Sequence, residues 1–267
     1  MREKKIHCGD EYMEVDIYPY TENQENVHKS GTRSKKQKVS APKQRNLNDK
    51  NAKRYFTQLT NANFGEGDLH VTLTYKKKYL PSTIEGGKEV LNYLRRVKYL
   101  REKEGLPPMK YIVVTEYVVA KDNEDKPIRI HHHIIMNGGL DRDIVEELWS
   151  KRKKKGQKKG ERIGRANADR LQPDENGVAA LCSYLTKNPN GKRRWSPSQN
   201  LEKPWSRTND HKYSRRQIEK LAKTPPDIAY WETRYKGWTL AKDEYAIRTE
   251  YNEITGWSIY LKLYRRE

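Results

Sequence analysis

The sequence predicts an α+β fold, a central antiparallel sheet flanked by helices, with a basic N-terminal arm and a small C-terminal appendage. Three observations carry this expectation. Residues 69–75 (LHVTLTY) alternate strictly between apolar and polar side chains. Two apolar runs, 110–119 and 129–136, flank the polar turn KDNEDKP, the pattern of a hairpin of central strands. Val90, Leu91, Leu94, Val97 and Leu100 recur at helical spacing between the first strand and the hairpin.

In chain order, residues 12–18 alternate loosely and predict a short strand ending at Pro19. Between His28 and Arg54 the chain carries ten Lys/Arg against one acid, Asp49, with almost no large apolar residue before Leu47. Such a stretch predicts a disordered arm, either a tether for nucleic acid or a solubilising tail. Residues 46–60 predict a helix, with Leu47, Ala52, Tyr55, Phe56 and Leu59 near one face. In the strand 69–75, Leu69, Val71, Leu73 and Tyr75 point one way and His70, Thr72 and Thr74 the other. Ser82 and Glu85 form a capping box that opens the next helix, which ends near Gly105-Leu106-Pro107-Pro108.

One acid, Glu116, interrupts the first hairpin strand, and Asn137-Gly138-Gly139 breaks the second. LDRDIVEELW then predicts a short helix, and KRKKKGQKKGER (151–162) an exposed basic loop too charged to pack. NADRLQ (167–172) predicts a strand, and residues 177–187 a helix halted by Asn188-Pro189-Asn190-Gly191. Beyond residue 200 a helix near 211–223 precedes Pro225-Pro226. The aromatic-rich segments that follow predict a small β appendage, or strands packed beside the first domain. The expected domains are thus 1–45 (strand and arm), 46–205 (the main domain) and 206–267 (helix and appendage).

Composition narrows the function. The formal net charge is +19, which favours a polyanionic partner through counterion release along a phosphate backbone. Eighteen tyrosines and six tryptophans against two phenylalanines supply rings with polar tips, suited to stacking on unpaired bases as well as to packing. No run approaches the ~18 apolar residues of a membrane span, and the N-terminus has no continuous apolar signal-peptide core. A cytoplasmic location without a membrane partner is expected. Cys8 and Cys182 are far apart and lack a CxxC partner, so both read as reduced thiols. No phosphate-binding GxxxxGK[ST] loop is present, which argues against a fused ATPase.

The chemistry concentrates in His131-His132-His133. On a strand, His131 and His133 share a face and His132 points oppositely, so the outer pair can converge on one cation. The hairpin places Glu116 across from them, adding a hard oxygen ligand. Two imidazoles and a carboxylate leave open positions for water and a phosphate oxygen. The same set can hold non-haem iron, although the basic chain suits a phosphodiester better. Glu116 is alternatively an ion-pair partner of Arg129. Further along, Ser183-Tyr184-Leu185-Thr186-Lys187 puts Tyr184 and Lys187 on one helical face. A phenol ordinarily ionises near pH ~10 and needs an adjacent cation or a polarised phosphate to act as a nucleophile. The plain alternative is a packed tyrosine beside a solvated lysine.

A threonine-rich strand (His70 to Tyr75), a histidine-hydrophobe-histidine strand and a helix bearing Tyr-x-x-Lys, in that order, resemble the HUH endonucleases. The likeness is particularly to the rolling-circle replication initiators of bacterial plasmids, prophages and small single-stranded DNA phages. It spans roughly residues 46–205. Two features depart from the family pattern: the central hydrophobe is His132, and Asn188 stands one turn after Tyr184, which resembles the single-tyrosine subclass.

The resemblance implies Mg²⁺ or Mn²⁺ held by His131, His133 and Glu116, with Tyr184 as the nicking residue and Lys187 as the lysine of its motif. It also implies a 5′-phosphotyrosyl intermediate on a single-stranded DNA origin, with a host helicase and DNA polymerase completing rolling-circle replication. Thr72, Thr74, Arg129, Lys153, Lys154, Arg193 and Arg194 are the expected nucleic-acid contacts. A single-tyrosine transposase, a mobilisation relaxase and a non-catalytic nucleic-acid-binding regulator are the rival readings.

Overall fold

A computed structural model describes residues 1–21, 42–120, 123–153, 155–157, 159–173, 177–187, 194–242 and 246–266. It is an α+β structure with two antiparallel sheets, and its contacts divide the chain into two units. One unit comprises Met1–Ala62, Asp174–Gly177 and Glu202–Glu267; the other comprises Asn63–Pro173 and Val178–Leu201. Elements are numbered along the chain.

In the first unit, β1 (Arg2–Cys8) and β2 (Tyr12–Tyr18) form a hairpin in register from Cys8↔Tyr12 to Arg2↔Tyr18. The sheet runs β10 (Ile247–Asn252), β11 (Gly256–Arg265), β2, β1, β8 (Trp205–Asn209), and the short β9 (Trp238–Leu240) also pairs with β11. The aromatic C-terminal segments therefore do not form a separate appendage. Their longest strand pairs directly with β2, completing a sheet that the N-terminal residues begin. Part of YWETRYKGWTL is helical instead, as α6 (Ile228–Arg234), which Asp227 caps by accepting from the Tyr230 amide.

Met13, Val15 and Ile17 on β2 pack with Ile218 of α5 (Arg215–Lys223), Trp231 of α6, and Ile259, Leu261 and Leu263 of β11. The alternate residues of β2, Glu14 and Asp16, are also buried. They are held by Arg54 of α1 (Pro42–Asn61), at 2.5 Å and 2.6 Å, and Gln58 donates to Glu14 at 2.7 Å. Arg54, expected as part of the basic arm, is thus an ion-pair partner inside a fold. Residues 22–41 of that arm lie outside the described residues. Helix α1 extends the expected 46–60 at both ends and groups with the terminal strands, not with the histidine-bearing sheet.

The second unit carries the elements expected from periodicity. Its sheet runs β6 (Ala166–Arg170), β3 (Leu69–Thr74), β5 (Asn123–Met136), β4 (Tyr111–Ala120) and the two-residue β7 (Ser196–Pro197). Leu69, Val71 and Leu73 are buried, with Ile134 and Met136 of β5, against α2 (Thr83–Lys103), whose Val90, Tyr93, Leu94 and Val97 close the core. Burial of these side chains drives the layer together. The capping box at Ser82 and Glu85 is formed in both directions. Helix α3 (Arg142–Glu147) starts at Asp141, which accepts from the Asp143 and Ile144 amides, and contributes Val145 to the same core. Beyond it, Ser150 and Arg162 bridge the base of the basic loop. At its exit Gly164 passes so close to the end of β3 that a Cβ there would lie 1.8 Å from the Thr74 carbonyl oxygen. Only glycine fits that approach.

Candidate active site

The two faces of β5 separate the three histidines. His132 points into the core and is fully buried, with Nε2 2.9 Å from the Tyr75 hydroxyl and Nδ1 2.9 Å from Thr115 Oγ1. Burial, helped by the neighbouring imidazoles, pushes its pKa down to about 3, so the ring is neutral and both its nitrogens are engaged. On the opposite face, His131 is paired in register with Thr74 of β3 and Glu116 of β4, and His133 with Thr72 and Val114. Residues directly opposite on antiparallel strands project to the same side. Glu116, His131, His133, Thr72 and Thr74 therefore share one face of the sheet.

The rings of His131 and His133 lie 6.5 Å apart between centroids and nearly parallel. His133 is almost wholly buried, and its Nδ1 sits 3.3 Å from Thr72 Oγ1 and 3.3 Å from His70 Nε2. Hydrogen bonding on Nδ1 fixes the ring and directs Nε2 away from these partners. Burial and the adjacent imidazoles lower the His133 pKa to about 4. His131 and His70 are also held below the usual histidine range, chiefly by burial. Neutral imidazoles are the form that binds a metal ion. Burial raises the Glu116 pKa while the charge of Arg129 opposes it.

Helix α4 (Ala179–Leu185) brings in the tyrosine. Cys182 and Leu185 are buried, and Tyr184 between them is exposed, with its ring edge-on to His133 at 5.7 Å between centroids. The helix is shorter than the expected 177–187. Thr186 Oγ1 donates back to the Cys182 carbonyl at 2.7 Å, and the helix ends at Leu185. Lys187 accordingly lies past the helix, exposed, with its amide on the Tyr184 carbonyl at 3.2 Å. The shared helical face expected for Tyr184 and Lys187 is not formed.

Of the expected nucleic-acid contacts, Thr72 turns its hydroxyl to His133. Thr74 Oγ1 donates to the Arg165 carbonyl at 3.2 Å and accepts from the Arg165 amide at 3.3 Å. Arg129 is exposed, and its Nε donates to His131 Nε2. Lys153 is exposed in the basic loop and Arg194 is half-buried, while Lys154 and Arg193 lie outside the described residues. Sequence reasoning missed His70 as a member of this group. The signal was available, because strict alternation in β3 places His70 on the face of Thr72 and Thr74. The register that brings it to His133 was not.

Among the described residues no three His, Cys, Asp or Glu side chains are already gathered as a metal site. The donor set nevertheless suits a divalent ion in kind: two neutral imidazoles and a carboxylate on one face, with Nδ1 of His133 already engaged. Arg129 holds the His131 lone pair that a cation would take, so its side chain must turn aside for one to bind.

Residues 68–189 match the family model of the replication-associated protein ORF2, a family of phage and plasmid replication initiators. The segment is a replication-associated domain of this family. It runs from one residue before β3 past the end of α4, and so contains both outer histidines, Glu116 and Tyr184. No curated protein and no solved structure matches the chain. Among the described residues of this replication-associated protein, no helix is long and apolar enough to cross a membrane.

Proposed function

We propose that the chain starts rolling-circle replication by nicking single-stranded DNA at an origin, with Tyr184 as the covalent nucleophile. The observation that carries this reading is the Tyr184 ring set edge-on against His133, on the sheet face that also bears His131 and Glu116. A Mg²⁺ or Mn²⁺ ion bound by His131, His133 and Glu116 would supply Lewis-acid polarisation of the scissile phosphate.

Tyr184 Oη attacks the phosphorus in line. The Oη–P bond forms, the P–O3′ bond breaks, and the departing oxygen takes up a proton as the 3′-hydroxyl. The phenolic proton passes to solvent or a nearby base. His133, kept neutral by burial, walls one side of the phenol. The exposed Lys187 and Arg129 supply positive charge for the flanking phosphates. Because one phosphoester replaces another, a later 3′-hydroxyl can attack the phosphotyrosine and reseal the strand without ATP. The free 3′-hydroxyl is a primer for a host polymerase in the cytosol, with a host helicase unwinding ahead.

Single-stranded oligonucleotides tiled across the DNA flanking the gene, incubated with Mn²⁺, are expected to yield a covalent adduct of protein and 5′-phosphate. The adduct disappears in Tyr184→Phe. An adduct that persists in that variant, or strand scission without any adduct, overturns the proposal.

A further inference from the structure

The first unit carries an aromatic surface outside the matched segment. On the edge strand β8, Trp205 is 49% exposed and pairs in register with His7 of β1. The two rings stack at 4.1 Å between centroids, 11° from parallel. Trp238 of β9 meets His7 edge-on at 6.3 Å. Cations flank the row at both ends. The exposed Arg207 lies over the Trp205 ring at 5.0 Å, and the exposed Arg265 lies 5.9 Å from the Trp238 ring. Lys5 is the register partner of Arg207, and with it holds the His7 pKa below the usual range, secondary to burial. An uncharged imidazole stacks against an indole without placing a charge in the row.

We infer that this row is a second binding platform for single-stranded DNA, with Trp205 taking an unpaired base and Arg207 and Arg265 its phosphates. The inference extends the proposed nicking function and rests on it for the choice of DNA. A half-exposed tryptophan rigidly backed by another ring is a costly surface feature unless something flat covers it. Alternating rings and cations match the alternating bases and phosphates of an unpaired strand. Arg207 is the side chain an entering base displaces. An exposed cation–π contact is weaker than a stacked base, and the freed guanidinium has a phosphate to bind. Duplex DNA buries its base faces and offers nothing for Trp205 to stack on.

The test uses the full chain in a Tyr184→Phe background, so that binding is read whether or not residue 184 cuts DNA. Anisotropy of a labelled dT16 oligomer is measured at fixed salt, with an abasic oligomer of equal length as control. Trp205→Ala is expected to weaken dT16 binding about 10-fold, within the range for one stacked base. Trp205→Phe should recover most of that loss, and the abasic oligomer should be insensitive to either change. Unchanged dT16 affinity in Trp205→Ala overturns the platform. So does an equal loss on the abasic oligomer, equally good competition by a duplex, or a clear preference for an rU16 oligomer. Failure of the nicking proposal alone would show as a normal Trp205 effect on dT16 with no adduct from the unsubstituted chain.

Discussion

Neighbouring residues of one strand meet opposite demands in this domain. On the core face of β5, His132 is sealed between Tyr75 and Thr115, with each ring nitrogen 2.9 Å from a hydroxyl. On the other face, His131 and His133 stand beside Glu116 and Tyr184, with only Nδ1 of His133 tied to Thr72 and His70. The same imidazole is a structural strut on one side and a candidate ligand on the other. What separates the two roles is the period of the strand and the hydrogen-bonding capacity left over once the ring is packed.

The largest expected effect breaks this comparison on the outer face. His133→Ala should reduce adduct formation by about three orders of magnitude, a loss of the size seen when a charge-stabilising group is removed. It should leave the thermal midpoint nearly unchanged. His132→Ala should do the reverse, costing about 2–3 kcal/mol of stability in urea titrations because two buried hydroxyls lose their partner. A His133→Ala protein that unfolds as readily as His132→Ala would show that both histidines serve packing.

The two faces also differ in what acid does to them. The folded pKa of His132, about 3, lies below the ~6.5 of an unfolded histidine. Between those values the unfolded chain binds the extra proton. Stability contributed by the neutral ring is therefore complete above pH ~6.5 and is lost as pH falls toward 3. Going from pH 7 to 5 should remove about 2 kcal/mol through His132 alone. His132→Gln, which keeps polar contacts without a titrating group, should lower the pH slope measured by urea titration in EDTA. An unchanged slope would place the acid sensitivity elsewhere.

The second unit was largely legible in the sequence because its strands follow the simple rule of apolar inward and polar outward. Alternation in LHVTLTY, the hairpin around 121–127 and the Ser82 capping box all specify their elements locally. The first unit breaks that rule. Glu14 and Asp16 read as solvent-facing but are buried against Arg54, and Glu3 is buried with Lys212 at 2.7 Å and the Tyr235 hydroxyl at 2.7 Å. Charged strands such as REKKIHC give no periodic signal when both faces are covered. Pairing between β2 and β11 joins residues far apart in sequence, which no local pattern reports. At the site, residue types identified His131, His133 and Tyr184, whereas His70 needed the β3–β5 register. The early end of α4, set by Thr186 turning back on Cys182, was not written in its spacing.

The smallest expected effect sharpens the comparison by asking how firmly the outer face holds its ring. His133 Nδ1 has two partners within 3.3 Å, so losing one leaves the other to fix the imidazole. Thr72→Val, nearly isosteric, and His70→Ala are each expected to slow adduct formation only about 3-fold, below the usual range for a lone partner of a metal-binding histidine. The double variant should lose about 30-fold or more, well beyond the product of the single effects, because the ring is then free to turn. Single effects that simply multiply would mean that the two contacts act independently. In that case His133 would be oriented by the packing of its ring in the sheet, as His132 is on the face behind it.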